Sequence, residues 1–559
     1  MNFEDRIKKD LKRVTGFEDI LLEKPKSEFG DYAYPCFNFS QKIRKNPNEA
    51  AKEIAEKLKE YKTQVLGPYI NFFIDDNYLK NVIKEILEQK EEFGKQKPNN
   101  KKIVIEYPGP NTNKPLHLGH VRNMVLGYAL SKILEANGNK IIHVNINSDR
   151  GVHICKSMLA YQKFGKNDSP EKSKLKGDFF VGKYYVLFAK EAEKNPELEK
   201  EALEMLKKWE EKDPETVELW KKMNKWALDG FKETYEKFNI DFKKEYFESE
   251  TYERGRDIVL EGLKKGIFEK DEEGNIIADL TEKGHGKKVL LRKDGTSIYI
   301  TQDLALAKEK YEDFKFDKSI YVVATEQNYH FNVLFEILKM LKLPFADKCY
   351  HFAYGMVNLT TGRMKSREGN VVDADNLVED MTQIAREETR QRHEKINDKE
   401  LKERAEKIAM AAIRFYLIKS DPTKDIVFNQ EESISFEGET GPYLQYTCAR
   451  INSILKKVDS KENKNIDFGL LKEKEEIDLI KKINDYSSVV KEAGEKYNIH
   501  ILPRYLLDFA QLFNYFYHTH PVLQAEESVR DARISLLIAV KQILENGLAL
   551  LGIEVMDEM

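Results

Sequence analysis

Cysteine is scarce: Cys36, Cys155, Cys349 and Cys448 are the only four in a chain of 559 residues. They lie far apart, so neither a disulfide framework nor a Cys-rich metal site is readable, and a reducing compartment is expected. Long apolar runs are missing too. No stretch reaches the ~18–20 uncharged apolar residues of a bilayer-spanning helix. The opening MNFEDRIKKDLKRV lacks the apolar centre of a secretory leader. Neither sign of charge is in excess: 92 Lys plus Arg face 96 Asp plus Glu, a net −4. A generally cationic coat for nucleic acid is thereby excluded, and any polyanion must be met by local patches. Internal repeats and long low-complexity tracts are also absent. A soluble, cytoplasmic enzyme with no membrane partner is the expectation.

Aromatics, by contrast, are plentiful: 27 Tyr and 30 Phe exclude a wholly disordered chain. At about 150 residues per domain, the length predicts three or four domains. Three textures are visible. Residues 1–95 alternate helix, strand and turn signals around an aromatic loop at Phe29–Tyr34 and an apolar run at Tyr69–Ile74, which predicts a small N-terminal α+β domain. A polar linker, Gly94–Lys102, follows. Residues 100–375 open with the strand Ile103–Tyr107, a Pro/Gly/Asn turn, an apolar-periodic segment at Val121–Leu134 and a second strand at Lys140–Ile146. This βαβ pattern predicts a Rossmann-like parallel sheet. Further strands are predicted at Val289–Arg292, Ser319–Ala324 and His351–Val357, with a helical, Lys/Glu-rich insertion at about 165–250. From 376 to 559 helical periodicity dominates, predicting an all-α bundle. The fold class is thus multidomain α/β.

The stretch densest in chemistry runs from Glu106 to His120 and ends in His117-Leu-Gly-His120. Two histidines three apart, with Gly119 between them, stand at a strand-to-helix turn. A helix N-terminus there offers N–H groups and a positive dipole end to phosphate. Imidazoles can donate to phosphoryl oxygens, and the glycine admits a nucleotide close to the backbone.

Together with its neighbours this turn resembles the arginyl-tRNA synthetases, a family of class I aminoacyl-tRNA synthetases. The likeness runs through Pro110-Asn111, Lys114, His117, Gly119, His120 and Arg122. It resumes at Asp294–Asp303, Tyr321–Phe331, Phe352–Val357 and Gly362–Asn370, and in the bundle at Ser435–Tyr446. Gly30–Ala33 and the terminal Leu551-Gly-Ile553 fit as well, so nearly the whole chain is covered. The resemblance implies an arginine–tRNA ligase using ATP with Mg2+. Arginine's carboxylate attacks the α-phosphorus, pyrophosphate leaves, and the arginyl group passes to the terminal adenosine of tRNA(Arg).

The resemblance also implies residue roles. His117, Gly119 and His120 would meet ATP, as would Arg363, Met364, Lys365 and Ser366 in a second phosphate loop. That loop departs from the class pattern Lys-Met-Ser-Lys-Ser: Arg363 replaces the first lysine and Ser366 the second. Lys114 would supply the missing charge, helped by Lys365 or Arg367. Glu106, Asn111, Tyr299, Asp303 and Gln327 would bind arginine, since a guanidinium calls for planar acidic acceptors. Asp303 ends a segment, Tyr299–Asp303, that reads as strand and turn, and it also suits an N-cap ahead of a helix at Leu304–Lys310. Asp149 is a looser substrate candidate. Tyr443, Tyr446 and Arg450, at helical spacing, would stack on tRNA bases, although that spacing also fits plain packing. The N-terminal module would touch the tRNA elbow, with Asn71 and Phe72 as candidate contacts. A monomer is expected, and the family implies activation only after tRNA binds.

Overall fold

The computed structural model describes residues 3–296, 298–359, 372–393, 395–458 and 466–559. At the N-terminus lie α1 (Phe3–Thr15), β1 (Tyr32–Pro35), α2 (Phe37–Ile43), α3 (Pro47–Glu56), β2 (Lys62–Leu66), β3 (Tyr69–Phe73) and α4 (Asp76–Gln89). The strands form an antiparallel sheet in the order β1-β3-β2. Phe3, Ile7 and Leu11, at i, i+4 and i+8 on α1, are all buried, as one apolar stripe requires. Gly30 takes φ +131°, and a Cβ there would stand 3.0 Å from the Phe72 carbonyl oxygen. The aromatic loop is thereby held against β3. Asn71 and Phe72 are 3% and 0% exposed. They belong to the core of this module and present no surface to RNA, contrary to the expectation above.

The central region carries β4 (Lys102–Glu106), α5 (Leu118–Ala136) and β5 (Lys140–Asn147). Five helices follow: α6 (Val152–Phe164), α7 (Pro170–Ser173), α8 (Gly177–Lys194), α9 (Glu197–Glu210) and α10 (Pro214–Lys237). Next come β6 (Lys244–Phe247), α11 (Glu248–Lys264), β7 (Glu269–Lys270), β8 (Ile276–Leu280), β9 (Gly286–Leu291), α12 (Tyr299–Phe314), β10 (Lys318–Ala324), α13 (Asn328–Met340), β11 (Cys349–Tyr354) and β12 (Val357–Leu359). A five-stranded, all-parallel sheet has the order β11-β10-β4-β5-β6. Its inner strands read as β-branched runs because both faces are covered. Helix α5 is buried nearly all round and shows little amphipathicity, as a helix wedged between sheet and bundle must.

Two strand expectations shift. Val289–Leu291 belongs to β9, which lies in a separate antiparallel sheet, β7-β8-β9, rather than in the parallel one. The segment Tyr299–Asp303, read as strand and turn, is the first part of helix α12. Its N-cap residue is Ile298. Asp303 sits in the second turn, so the capping alternative falls.

The C-terminal third is α14 (Ala374–Arg392), α15 (Asp398–Ile418), β13 (Ile426–Phe428), α16 (Gln430–Ser433), α17 (Gly441–Leu455), α18 (Lys474–Glu495), α19 (Ile501–Thr519) and α20 (Glu527–Leu550). The one strand here among the described residues, β13, pairs in parallel with β12 and ties the bundle to the sheet region. Helix α18 also packs on α4 and α5, so the three regions share one continuous core.

Candidate active site

A cavity of about 670 Å³ opens at the C-terminal ends of the parallel strands, where ligands of such sheets collect. Its walls differ. One is the His117–His120 turn at the start of α5. His117 is the N-cap residue: its Nδ1 accepts from the Gly119 N–H at 3.1 Å, and His120 Nδ1 accepts from the His117 N–H at 3.1 Å. The rings lie 3.9 Å apart. Burial and the nearby Lys114 cation push His117 down to about 3. Burial and the two neighbours push His120 well below the usual imidazole range. Both rings are therefore neutral near pH 7. With each Nδ1 accepting, the proton resides on Nε2. This reverses one expectation: the Leu118 N–H bonds to the Val372 carbonyl and the Gly119 N–H to His117, so those backbone donors are engaged. The ring Nε2–H groups are the donors left for a ligand.

Gly119 is required here because a Cβ would sit 3.0 Å from the His117 ring. Lys114 is half-buried and has no ion-pair partner among the described residues. It lies close enough to both histidines to lower their pKa values but does not line the cavity. Helix α8 of the insertion presses on this corner through Gly182, where a Cβ would meet Pro115 at 2.7 Å.

Arg363, Met364, Lys365, Ser366 and Arg367 lie outside the described residues. Their flanks converge on the histidine turn. Asp373 bridges His117, and the Ala374 N–H bonds to the Leu116 carbonyl at 2.8 Å. On the other flank, Met356, Val357 and Asn358 line the cavity. Arg122, fully buried, donates to the carbonyls of Gly355, Met356, Pro422 and Lys424 and so anchors that flank. Its bonds reach 233 or more residues along the chain, which no local signal announces.

The opposite wall is acidic. Glu106, Glu248, Asp303 and Glu326 line it, and among the described residues no Lys or Arg does. Asp303 Oδ2 is bonded to His330 Nε2 at 2.5 Å. Glu248, at the first turn of α11, accepts from Ser148 Oγ at 2.9 Å. Burial, and then the charges of Asp303 and Asp149, push its carboxyl up to about 7. Glu106 is matched from behind by the fully buried Lys310 at 2.7 Å. Tyr299, 75% exposed, and Gln327, also exposed, stand at the rim.

Four of the five expected arginine residues thus share the cavity. Asn111 does not: it is exposed and pairs by its backbone with Ser148. Asp149 is not in the wall either. Its two carboxylate oxygens accept from the Ser249 N–H and Oγ at 2.9 and 2.7 Å, holding the start of α11. Glu248, Glu326 and His330 were missed as side chains of the site. His330 stands inside a motif already noted, but a lone glutamate after a helical insertion carries no local signature.

In the bundle, Tyr443 and Arg450 share Asn514 of α19, at 2.9 and 3.3 Å, and Arg450 lies 5.0 Å from the Tyr517 ring centre. Tyr446 is exposed beside them. Loop residue Phe29 is exposed, whereas Tyr32 and Tyr34 are buried.

The parallel sheet, with its histidine-capped helix at the strand ends, lies within the catalytic domain of a class I aminoacyl-tRNA synthetase. The family described as "tRNA synthetases class I (R), catalytic domain" matches residues 82–430. The "Arginyl tRNA synthetase N terminal domain" matches 1–74, and the "DALR anticodon binding domain" matches 444–559. The arginine–tRNA ligase of Treponema denticola is 43% identical over 97% of this chain and 95% of that protein. That of Borrelia turicatae is 42% identical over 100% and 99%. The solved structure of Thermus thermophilus arginyl-tRNA synthetase superposes with a TM-score of 0.84 at 27% identity, covering 100% of this chain and 99% of that one. The Plasmodium falciparum structure shares the fold, with a TM-score of 0.80 at 19% identity. The chain belongs to the arginyl-tRNA synthetase family.

Proposed function

We propose that this cavity activates L-arginine with ATP and then transfers the arginyl group to tRNA(Arg). The observation that carries the reading is the pairing of walls: neutral imidazoles whose Nδ1 atoms are engaged line the same cavity as the carboxylates of Asp303 and Glu248, and among the described residues no Lys or Arg lines it. A guanidinium supplies the missing cation, and its planar fork suits Asp303 and Glu248. Tyr299 and Gln327 close the rim over it. Glu106 keeps one oxygen for the substrate while Lys310 holds the other.

In the first step a carboxylate oxygen of arginine bonds to the α-phosphorus while the bond to the β-bridging oxygen breaks and pyrophosphate leaves. In the second, the terminal adenosine hydroxyl of tRNA attacks the arginyl carbonyl, its proton is released and AMP departs. His117 and His120 donate to phosphoryl oxygens as charge shifts, a term whose strength comes from donors fixed in advance. Lys114 adds a cation close to them, and Lys365 or Arg367 supply the rest. Magnesium accompanying ATP would offset charge on the phosphates, and it calls for no dedicated protein cage.

Residues 1–95 serve as the tRNA-elbow module, 100–375 as the catalytic domain and 376–559 as the anticodon-binding bundle. Tyr443, Tyr446 and Arg450 form its base-stacking platform. The protein works as a cytoplasmic monomer, and arginine activation follows tRNA binding. The test is arginine-dependent exchange of pyrophosphate into ATP, with and without tRNA(Arg). Exchange is expected with tRNA and not without it. No exchange under either condition overturns the reading.

A further inference from the structure

A second cleft, of about 1310 Å³, lies where the three regions meet. It is lined by the start of β4 (Ile103), the start of β10 (Lys318) and the end of α5 (Leu134, Asn137). It therefore opens at the N-terminal edge of the parallel sheet, the edge opposite the catalytic cavity. Its charge is the reverse of that cavity's: eight lysines line it against four carboxylates, in a chain whose net charge is −4.

Four of those lysines, Lys9 on α1, Lys97 and Lys101 on the linker and Lys318 at the start of β10, have no ion-pair partner among the described residues. The linker that carries two of them is fixed in place. The Gln96 N–H bonds to the Ala136 carbonyl at 2.7 Å and the Asn99 N–H to the Gly138 carbonyl at 2.8 Å, while Gln96 Nε2 reaches Ser487 Oγ on α18 at 3.3 Å. The linker backbone that carries Lys97 and Lys101 is thus fixed along one side of the cleft, and neither lysine is ion-paired among the described residues. Two buried amides in the wall are each half-satisfied. Asn484, 3% exposed, accepts from Tyr78 Oη at 2.9 Å, but its Nδ2 has no partner. Asn137, 9% exposed, donates to the Val490 and Lys491 carbonyls, but its Oδ1 has none. Buried polar atoms are nearly always bonded, so these two, enclosed in residues that line the cleft, are exceptions that the protein's own packing leaves without a partner.

We propose that this cleft is a second binding site, for a small phosphorylated anion that also carries a hydroxyl or amino donor. Its phosphates meet Lys9, Lys97 and Lys101, its oxygens meet Asn484 Nδ2, and its donor meets Asn137 Oδ1 after slight opening of the wall. Because the lining comes from α1, the linker, β10 and α18, the ligand ties the N-terminal module to both other regions. The site faces away from the reaction and does not depend on the aminoacylation reading.

The test is calorimetric titration of inorganic tripolyphosphate into the full-length protein, compared with Lys9→Gln/Lys97→Gln/Lys101→Gln. Tripolyphosphate also enters the catalytic cavity, so the expected difference is one equivalent of binding, lost or weakened about tenfold in the variant. Lys97→Arg/Lys101→Arg, which keeps the charge, is expected to retain that equivalent. Equal stoichiometry and affinity in the wild type and a folded glutamine variant overturn the site. A tRNA KM raised about tenfold in the glutamine variant, with tripolyphosphate binding unchanged, overturns it in favour of an RNA backbone contact.

Discussion

The two walls of the catalytic cavity are built in opposite ways. The imidazole wall comes from four consecutive residues whose rings are locked by backbone hydrogen bonds and stripped of charge by burial. The carboxylate wall is gathered from β4, α11, α12 and the turn before α13, and keeps its acids. The first wall is rigid and local, and it is neutral in readiness for a polyanion. The second is assembled from distant segments and awaits a cation. A site for two oppositely charged substrates needs both solutions, because a charged imidazole pair beside these carboxylates would form ion pairs across the empty cavity.

The largest effect expected is at Asp303, whose second oxygen His330 leaves open. Removing a charged acceptor from a site built for a guanidinium leaves the substrate's donors unpaired. Asp303→Ala is expected to lower kcat/KM for arginine by about 10³- to 10⁵-fold. Binding of ATP, followed by equilibrium dialysis, should stay within about twofold. Normal charging by this variant would remove Asp303 from the pocket and undo the contrast between the walls.

At the other wall the loss should appear in rate rather than affinity. His120→Ala removes one pre-aligned donor, and kcat is expected to fall by about 10²- to 10³-fold with KM for arginine nearly unchanged. The same change deletes half of a reciprocal cap, costing about 1 kcal/mol of stability that a thermal melt reads separately. A rise in KM for arginine instead would place His120 in the arginine pocket.

This division explains what was legible beforehand. His117, Gly119 and His120 form a motif because one helix turn contains their whole geometry, so sequence spacing equals spatial spacing. Arg122 stood in that motif, yet its four carbonyl partners lie on segments more than 230 residues away. Glu248 meets Ser148 and Asp303 only after the intervening helical insertion folds back. Tyr299–Asp303 read as strand and turn because β-branched and aromatic residues follow a glycine turn, while burial of Ile300, Leu304 and Ala307 on one face makes it a helix. Asn71 and Phe72 are neighbours on β3 and point to opposite faces, yet both are buried because the middle strand of this sheet is covered on both sides, which the apolar run alone does not reveal. The parallel sheet and the helical bundle were readable from periodicity, whereas the membership of β9 in a second sheet was not.

The carboxylate wall should also respond to pH where the imidazole wall does not. Burial and neighbouring acids push Glu248 up to about 7, so it gains a proton as pH falls through that value. A neutral carboxyl gives a guanidinium no charge partner, and the affinity for arginine is therefore present above pH 7 and lost below it. KM for arginine is expected to rise roughly tenfold between pH 8 and 6, since one titrating group gives at most tenfold per unit. In Glu248→Gln the profile should be flat at the weaker value. His117, pushed down to about 3, adds no step in this range. An unchanged profile in the glutamine variant would assign the titration to another group.

The smallest effect expected tests whether the dispersed wall depends on its supports. Asp149 holds the first turn of α11 through Ser249, and its own carbonyl accepts from Trp220 Nε1 at 2.6 Å and Asn224 Nδ2 at 3.3 Å on α10. It thereby joins the insertion to the segment that presents Glu248. Asp149→Asn keeps the shape but weakens a charge-assisted pair of hydrogen bonds at a helix start, a loss of about 1 kcal/mol. KM for arginine is expected to rise about three- to tenfold with kcat little changed, and the Glu248 pH profile should shift with it. Asp149 would then be a positioning residue that acts through Glu248. If kcat falls and KM does not, Asp149 serves the reaction centre instead, and the acidic wall is less dependent on the insertion than its bonding pattern implies.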